Sequence, residues 1–588
     1  MSIQIDTVRI SGFRGISNIE ITLPRVTVLL GQNNAGKTSV IKALQLALGD
    51  YSRFLSDEDF NIGEDDKRQE KITVDLRFIA LDGHARTNEF SEEWQQEFGD
   101  KIQAEADGKQ FVAIRTTAEP DKMKGGYIVE RYHLDSWPEK NGWNEVIITK
   151  KNRLGKRLES VPFISIDAQR DIHSELKEKT SFIGRVLSSV EYNDDDVVAL
   201  ENMVANINKE AIEKSEPLKQ LKSHLDNLNQ SFEGKGQTEL TPFPKKIRDL
   251  SKRFSVHFGE SDKSSFSMEY HGMGTRSWAS MLTVKAFTEL MVKNHEEEVE
   301  PFFPILAAEE PEAHLHPNAQ RTLFEQLRDN TGQVVISTHS PYLVGMSDLK
   351  DLRGLIKTSH TVRATGLIEG LDPEDINILQ REIMRFRGEL LFSKALILFE
   401  GVTEEQIIPA MFQAYFGKTS FSLGVNCISV AGKNYPPFIK MAQSFGIPVC
   451  IISDNDGETK KEVDSQINKI KENTPLTLAD DEFSLFYLSD GNDIEAELLL
   501  VLGLRDEVIE ALVKTETRGS DNTRYIEAKT AELSALNNEA LVEKMRASKA
   551  SYAGFLADVI NRNPMNRPID ELVPSAAIEA FKKLKEWE

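Results

Sequence analysis

The chain has 588 residues, more than one hydrophobic core can organise, so two to four domains are expected. Its 40% apolar and 28% charged content is ordinary for a globular protein, and a net charge of −23 (71 Lys plus Arg against 94 Asp plus Glu) argues against a protein that coats nucleic acid by bulk charge, leaving room for a local basic groove or for carboxylate sites that need metal. Cys427 and Cys450 are the only cysteines, which excludes a disulfide scaffold or a four-cysteine zinc site, and with no signal-like or membrane-spanning apolar block a cytoplasmic, soluble protein is expected.

Taken in chain order, Ile3, Ile5, Val8 and Ile10 open a strand. Val26 to Leu30 is a compact β-rich run ending at a glycine, and Val40, Ile41, Leu44 and Leu48 have helical spacing. Strands are predicted at Ile72–Ala80, Gly126–His133 and Glu145–Thr149, forming a meander beside a nucleotide-binding core. From about Asp194 two amphipathic helices follow: Leu200, Val204 and Ile207 mark the first, and Leu218, Leu221, Leu225 and Leu228 the second. Pro217 stands between them, and Gly234–Pro244 reads as a loop. Ordinary core and a dimerisation arm both fit such stripes. Pro304–Ala308 and Val334–Ser337 have the flat apolar texture of buried parallel strands. A charged helical connector spans Leu371–Leu391, after which a β-α-β pattern restarts with Ala395–Phe399, Glu404–Phe416, Val425–Val430 and Pro448–Ile452. Leu500–Met545 reads as polar helix.

Three motifs point to nucleotide chemistry. Gly31-Gln32-Asn33-Asn34-Ala35-Gly36-Lys37-Thr38 follows a strand and opens a helix at Ser39. Glycines let backbone N–H groups curl around phosphate, Lys37 reaches the terminal phosphates, and Thr38 offers a hydroxyl to Mg²⁺. Ile305 to Ala308 is a strand ending in Glu309-Glu310, positioned to orient the Mg²⁺ shell and to polarise an attacking water. Val334 to Ser340 is a second strand that delivers His339 toward a γ-phosphate. With Walker A, Walker B and an H-loop in this order, the chain resembles ABC-type ATPases of the SMC-like kind. It departs from them in having Glu309 where Asp is usual. In place of the LSGGQ signature it has His271-Gly272-Met273-Gly274-Thr275-Arg276-Ser277, whose Gly274 and Ser277 are expected to face a phosphate of the opposite subunit. The resemblance implies ATP held between two heads, hence a homodimer or higher oligomer. His314 and His316 fit a metal pair or, better, a dimer-contact loop, and Arg170 is a weak interface candidate.

The last third of the chain brings acids to strand ends: Glu400 and Glu404 after one strand, Asp454 and Asp456 after another, then Asp493 and Glu495. Carboxylates at the C-terminal ends of neighbouring parallel strands face one crevice, repel one another, and invite a hard divalent cation. The pattern resembles the Toprim domain, with Glu400 and Glu404 in its glutamate motif and Asp454 and Asp456 in its D-x-D. An ABC ATPase followed by Toprim resembles the OLD (overcoming lysogenization defect) nuclease family. That resemblance implies metal ligands at Glu400, Glu404, Asp454, Asp456 and Glu495 with Asp493 beside them, and a catalytic lysine matching Lys549.

The expected architecture is α/β, divided as follows. Residues 1–190 form the N-terminal part of the ATPase and 191–245 a helical insertion serving as a dimerisation arm. Residues 246–370 form the C-terminal ATPase part, 371–393 a linker helix, and 394–588 a Rossmann-like Toprim domain with helical additions. The expected cofactors are ATP with one Mg²⁺ and two further Mg²⁺ or Mn²⁺ ions at the Toprim site. The expected function is ATP-regulated, metal-dependent DNA cleavage in anti-phage defence. It would act alone or with a second component, either a retron reverse transcriptase with its multicopy single-stranded DNA or a helicase-like protein. The reading from another class is a non-cleaving, ATP-gated DNA clamp or repair scaffold. DNA contact is expected at Lys150, Lys151, Arg153, Lys156 and Arg157, or at Lys433, Lys460 and Lys461.

Overall fold

The computed structural model describes residues 2–63, 65–83, 85–166, 193–230, 257–258, 266–267, 270–357, 361–367, 371–384, 387–473, 482–501, 503–562 and 567–587. The first layer is an antiparallel sheet whose long strands are Ser2–Phe13, Ile16–Thr22, Ile72–Asp82, Gln110–Pro120 and Tyr127–His133. A register shift between Ile5 and Thr7 accounts for the change of phase in the apolar pattern: Ile3 and Ile5 point inward before the bulge, Val8 and Ile10 after it. Asp75 and Arg115 lie directly opposite on neighbouring strands and form a fully buried ion pair at 2.6 Å. Arg115 also donates to the Val146 carbonyl at 3.1 Å and to that of Trp143 at 2.5 Å. The predicted strand Glu145–Thr149 is not formed. Trp143–Glu145 is a single 3₁₀ turn, and the carbonyls of this segment serve a buried guanidinium instead of a strand ladder.

The second layer is a six-stranded sheet in the order Val362–Gly366, Leu352–Lys357, Val26–Leu30, Gln333–Ser337, Ile305–Glu309, Phe163–Ile166. All neighbours are parallel except the Val362–Gly366 edge. Every fully buried strand here is a short β-branched and aliphatic run, as a sheet covered on both faces requires. The nucleotide motifs leave from the C-terminal ends of three adjacent strands. Helices Asp194–Lys214 and Glu216–Gln230 pack on each other across the break at Ser215 and leave Val198, Met203, Ile207 and Leu221 exposed. The Gly234–Pro244 loop and Arg170 lie outside the described residues.

The connector is not one helix. It breaks into Pro373–Leu379, a π turn at Gln380–Met384 and a 3₁₀ turn at Gly388–Phe392. Beyond it lies a four-stranded parallel sheet in the order Val425–Ser429, Ala395–Phe399, Val449–Ser453, Phe483–Tyr487. Helices Arg505–Thr517, Thr523–Ser534, Asn538–Arg562 and Ser575–Glu586 complete it. One apolar core runs from the six-stranded sheet (Val28, Leu306, Ile336) into the four-stranded one (Leu396, Leu398, Ile451). Among the described residues no helix is long and apolar enough to cross a membrane.

Candidate nucleotide and metal sites

The phosphate loop has the backbone its glycines predict. Gly31, Asn34 and Gly36 all have positive φ, and a Cβ at Gly31 would sit 2.5 Å from the Leu355 carbonyl, so only glycine fits there. Lys37 is the first residue of the helix Lys37–Leu48, and its ammonium donates to the Gly31 and Gln32 carbonyls at 2.7 and 3.1 Å. Burial lowers its pKa to about 8, against the opposing pull of Glu310 and Glu312. Asn33 and Thr38 are exposed at the loop, while Ser39 is buried behind it.

The second strand end places Glu309 3.1 Å from Lys42. The chain then bends at Glu310, a non-glycine residue at φ 45 whose N–H bonds to the Ser337 carbonyl. His339 Nε2 lies 3.5 Å from Glu310. Burial, and then Lys37, holds the His339 pKa below the usual imidazole range, which favours a neutral ring. Glu312 was not singled out from the sequence, yet it fixes this corner. It accepts from Thr338 Oγ1 at 2.7 Å and His339 N at 2.8 Å, and burial pushes its pKa up. The His271–Ser277 segment opens the helix Met273–Glu298, and Gly274 packs so tightly that a Cβ would lie 2.4 Å from the His314 carbonyl. Ser277 is 3% exposed, so its side chain points into the fold instead of toward a facing subunit. The expectation of an open phosphate-binding hydroxyl there is corrected. His316 caps the helix Pro317–Arg328 through Asn318 N.

The acids of the second domain meet at the switch point of its sheet. Relative to Ala395–Phe399, the next strand packs on one side and the following two on the other, so a crevice opens between the ends of Ala395–Phe399 and Val449–Ser453. Glu400 and Asp454 are the residues that immediately follow those two strands. Glu400 is fixed by Ser453 Oγ, which donates to its Oε1 at 3.0 Å, and by two donors to its carbonyl, Gly432 N and Ser429 Oγ. Glu404 is buried in the first turn of the helix Val402–Phe416 and reaches back to Gly401 N at 3.3 Å. Glu495, also buried, accepts from Thr403 Oγ1 at 2.9 Å. Burial raises Glu404 to about 7 with help from Glu495 and Glu400. Burial, then Glu404, Glu400, Asp493 and Glu495, raises Asp454 to about 8. These five acids therefore sense one another.

Asp456 stands apart. It is exposed, and its bond from Thr459 N at 2.8 Å caps the helix Thr459–Asn473 and holds its pKa low. Burial tends to raise Asp493, but Arg546 Nε at 2.7 Å and Ala496 N outweigh it and leave its pKa lowered. Arg546 was not anticipated. It lies three residues before Lys549 on the helix Asn538–Arg562, and the Lys549 side chain is outside the described set. Lys433 borders the crevice, bonded to Glu462 at 3.3 Å and within the field of Glu400 and Asp456. Lys460 packs over Tyr487, with its ammonium 5.0 Å from the ring centroid. The Lys150–Arg157 cluster forms a 3₁₀ turn at Lys150–Asn152, with Arg153 paired to Glu130.

The donor chemistry fits a hard cation. No histidine follows His360, so the crevice offers oxygen ligands only, and they are crowded enough to hold protons near neutrality. Among the described residues no three His, Cys, Asp or Glu side chains already close into a finished shell. Several of the carboxylates rest instead on local N–H and O–H donors, from which a cation would draw them.

A phosphate loop at the switch of one parallel sheet and an acid crevice at that of a second define a P-loop ATPase joined to a Toprim domain. Residues 3–344, more than half of the chain, match the family model for the AAA ATPase domain, and residues 391–456 match that for the overcoming lysogenization defect protein-like TOPRIM domain. Over 481 residues the chain is 23% identical to the OLD nuclease of Thermus scotoductus, covering 76% of this chain and 81% of that one. It is 24% identical to the Old nuclease of Escherichia phage P2 over 477 residues, 78% of each chain. It is also 22% identical to the endonuclease GajA of Bacillus cereus over 490 residues, 78% of this chain and 76% of that one. The chain belongs to the OLD family of ATPase–Toprim nucleases.

Proposed function

We propose that this ATPase and metal-dependent nuclease cleaves DNA under the control of nucleotide binding, in defence against phage. The observation that carries the reading is the gathering of Glu400, Glu404, Asp454 and Glu495 at the Toprim switch point, where burial first and then the neighbouring carboxylates raise Asp454 to about 8. Those four side chains, with Asp493 and Asp456 at the rim, would hold two Mg²⁺ or Mn²⁺ ions. When bound, such ions supply a water nucleophile and stabilise charge on the leaving oxygen in phosphodiester hydrolysis. The chain's own groups do the rest. Ser453 and Thr403 orient Glu400 and Glu495, Arg546 keeps Asp493 ionised, Lys433 and Arg546 attract the phosphate backbone into the crevice, and Lys549 would serve as the catalytic lysine that the family resemblance implies.

In the head, Gly31, Asn33, Asn34, Gly36, Lys37, Thr38 and Ser39 would cradle ATP and its Mg²⁺, with Glu309 supporting the ion. Glu310 would activate water and His339 would face the γ-phosphate. The exposed apolar residues Val198, Met203, Ile207 and Leu221 on the helical pair suit a homodimer contact that sets two heads face to face. A second defence component would act through this nucleotide cycle in the cytoplasm. In this reading residues 1–190 and 246–370 would form the ATPase, 191–245 the dimerisation arm, 371–393 the linker and 394–588 the Toprim unit.

The test is incubation of supercoiled plasmid with purified protein and Mg²⁺ or Mn²⁺, with and without ATP. The wild type nicks or linearises it; Glu404→Ala and Asp454→Ala leave it supercoiled while hydrolysing ATP normally. Equal cutting by the variants refutes the site. Intact plasmid under every condition favours the clamp.

A further inference from the structure

Asp493 is held at the rim of the acid crevice by backbone bonds that do not depend on its charge. The turn before it is stitched to the turn that carries Asp454 and Asp456: Asn455 N donates to the Asn492 carbonyl at 2.9 Å, and Gly491 N donates to the Asn455 carbonyl at 3.0 Å. Two residues further on, Glu495 is buried against Thr403, in the first turn of the helix that carries Glu404. Yet both oxygens of the Asp493 carboxylate are engaged within the protein. Oδ1 accepts from Ala496 N at 3.0 Å and caps the helix Ile494–Leu498, while Oδ2 accepts from Arg546 Nε at 2.7 Å. Arg546 is half exposed and donates no other hydrogen bond among the described residues, which leaves its two terminal nitrogens available to an incoming anion. An ion pair this accessible to water holds loosely, and a guanidinium takes phosphate through two parallel N–H bonds. Phosphate is therefore a strong competitor for the group that occupies Oδ2.

We propose that Arg546 exchanges Asp493 for a phosphate of the DNA backbone, so that Asp493 is released to a divalent cation only when substrate occupies the crevice. This deepens the function proposed above and rests on the metal-centre reading of the crevice. One ion pair breaks and another forms, and no proton moves. Asp493 keeps its cap on Ala496 and gives up only the bond to Oδ2. DNA and cation then bind cooperatively, each raising the affinity of the other by the same factor. The ion shell is completed on the substrate, which restrains cutting chemistry in protein that holds no DNA.

The experiment compares full-length wild type, Asp493→Asn, Arg546→Ala and the double variant, all without nucleotide. Binding to a fluorescent DNA duplex is measured in EDTA, and Mn²⁺ binding is measured by calorimetry with and without a phosphorothioate duplex that resists cleavage. Asparagine retains the helix cap and discards the charge that holds Arg546. Asp493→Asn is therefore expected to tighten DNA binding in EDTA about 3- to 10-fold, and to change it less than about 2-fold when Arg546 is already alanine. In wild type the duplex should raise Mn²⁺ affinity about 10-fold; in Arg546→Ala, Mn²⁺ should bind more tightly without DNA, and the gain from DNA should shrink to about 3-fold or less. Equal tightening by Asp493→Asn with and without Arg546 would reduce the effect to lost negative charge and overturn the exchange. So would a gain in Mn²⁺ affinity from DNA that is the same in wild type and Arg546→Ala. Mn²⁺ that binds none of the four proteins, with or without DNA, would instead defeat the metal-centre reading on which the exchange depends.

Discussion

Loading the Toprim crevice with Mn²⁺ should expel protons, in a number set by pH. With Asp454 at about 8 and Glu404 at about 7, Asp454 is about nine-tenths protonated and Glu404 about half at pH 7. A cation that takes both as ionised ligands releases about 1.4 protons there, about 1.9 at pH 6 and about 0.1 at pH 9. The sign follows directly: both acids are raised, so acidification loads protons that compete with the ion. Affinity therefore falls as pH drops through the window from 9 to 6, by about a thousandfold in total, each proton contributing tenfold per pH unit. Calorimetry of nucleotide-free protein in buffers of different protonation enthalpy counts the protons, and Glu404→Gln should lower the count at pH 7 to about 0.9 or less, because it removes the Glu404 proton and also the charge that helps raise Asp454. Proton release that stays constant from pH 6 to 9, or an affinity indifferent to pH, would show that these carboxylates do not crowd one another.

Lys37→Ala removes a charge-assisted contact of about 1.5–3 kcal/mol and should weaken ATP binding about 10- to 100-fold in a fluorescent-nucleotide titration. Glu310→Gln should retain ATP but slow its hydrolysis about 10²–10⁴-fold, measured by phosphate release, because a water-activating base is lost. Arg115→Ala leaves Asp75 buried and uncompensated, and should cost about 3–5 kcal/mol in denaturant unfolding, with no direct effect on either site.

The nucleotide loop and the acid pairs were legible because each lies within a few consecutive residues, where strand, turn and helix signals frame it. Glu312, Thr403, Ser453 and Arg546 were not. Their roles exist only after separate elements converge, and each alone reads as a cap or a surface charge. The strand Phe483–Tyr487, which adds a fourth strand beside Val449–Ser453, carried the right apolar run but no flanking motif to draw notice. Glu145–Thr149 failed for the opposite reason: its β-branched residues have strand character, yet Arg115 claims the Val146 carbonyl that a ladder would use. Asp456 shows a third case, where a motif position matches and the local geometry spends the carboxylate on capping a helix.

The apolar core that passes without interruption between the two sheets means that the cutting half cannot swing on a hinge relative to the half that holds nucleotide. At the seam, a methyl group added at Gly446 would run into Ile356 on the strand next to the phosphate loop, at 2.4 Å. Any strain that ATP introduces into that loop would reach the acid crevice as a shift of a shared solid body. A protease or a truncation aimed between the halves would lay bare oily surface instead of freeing an independent enzyme.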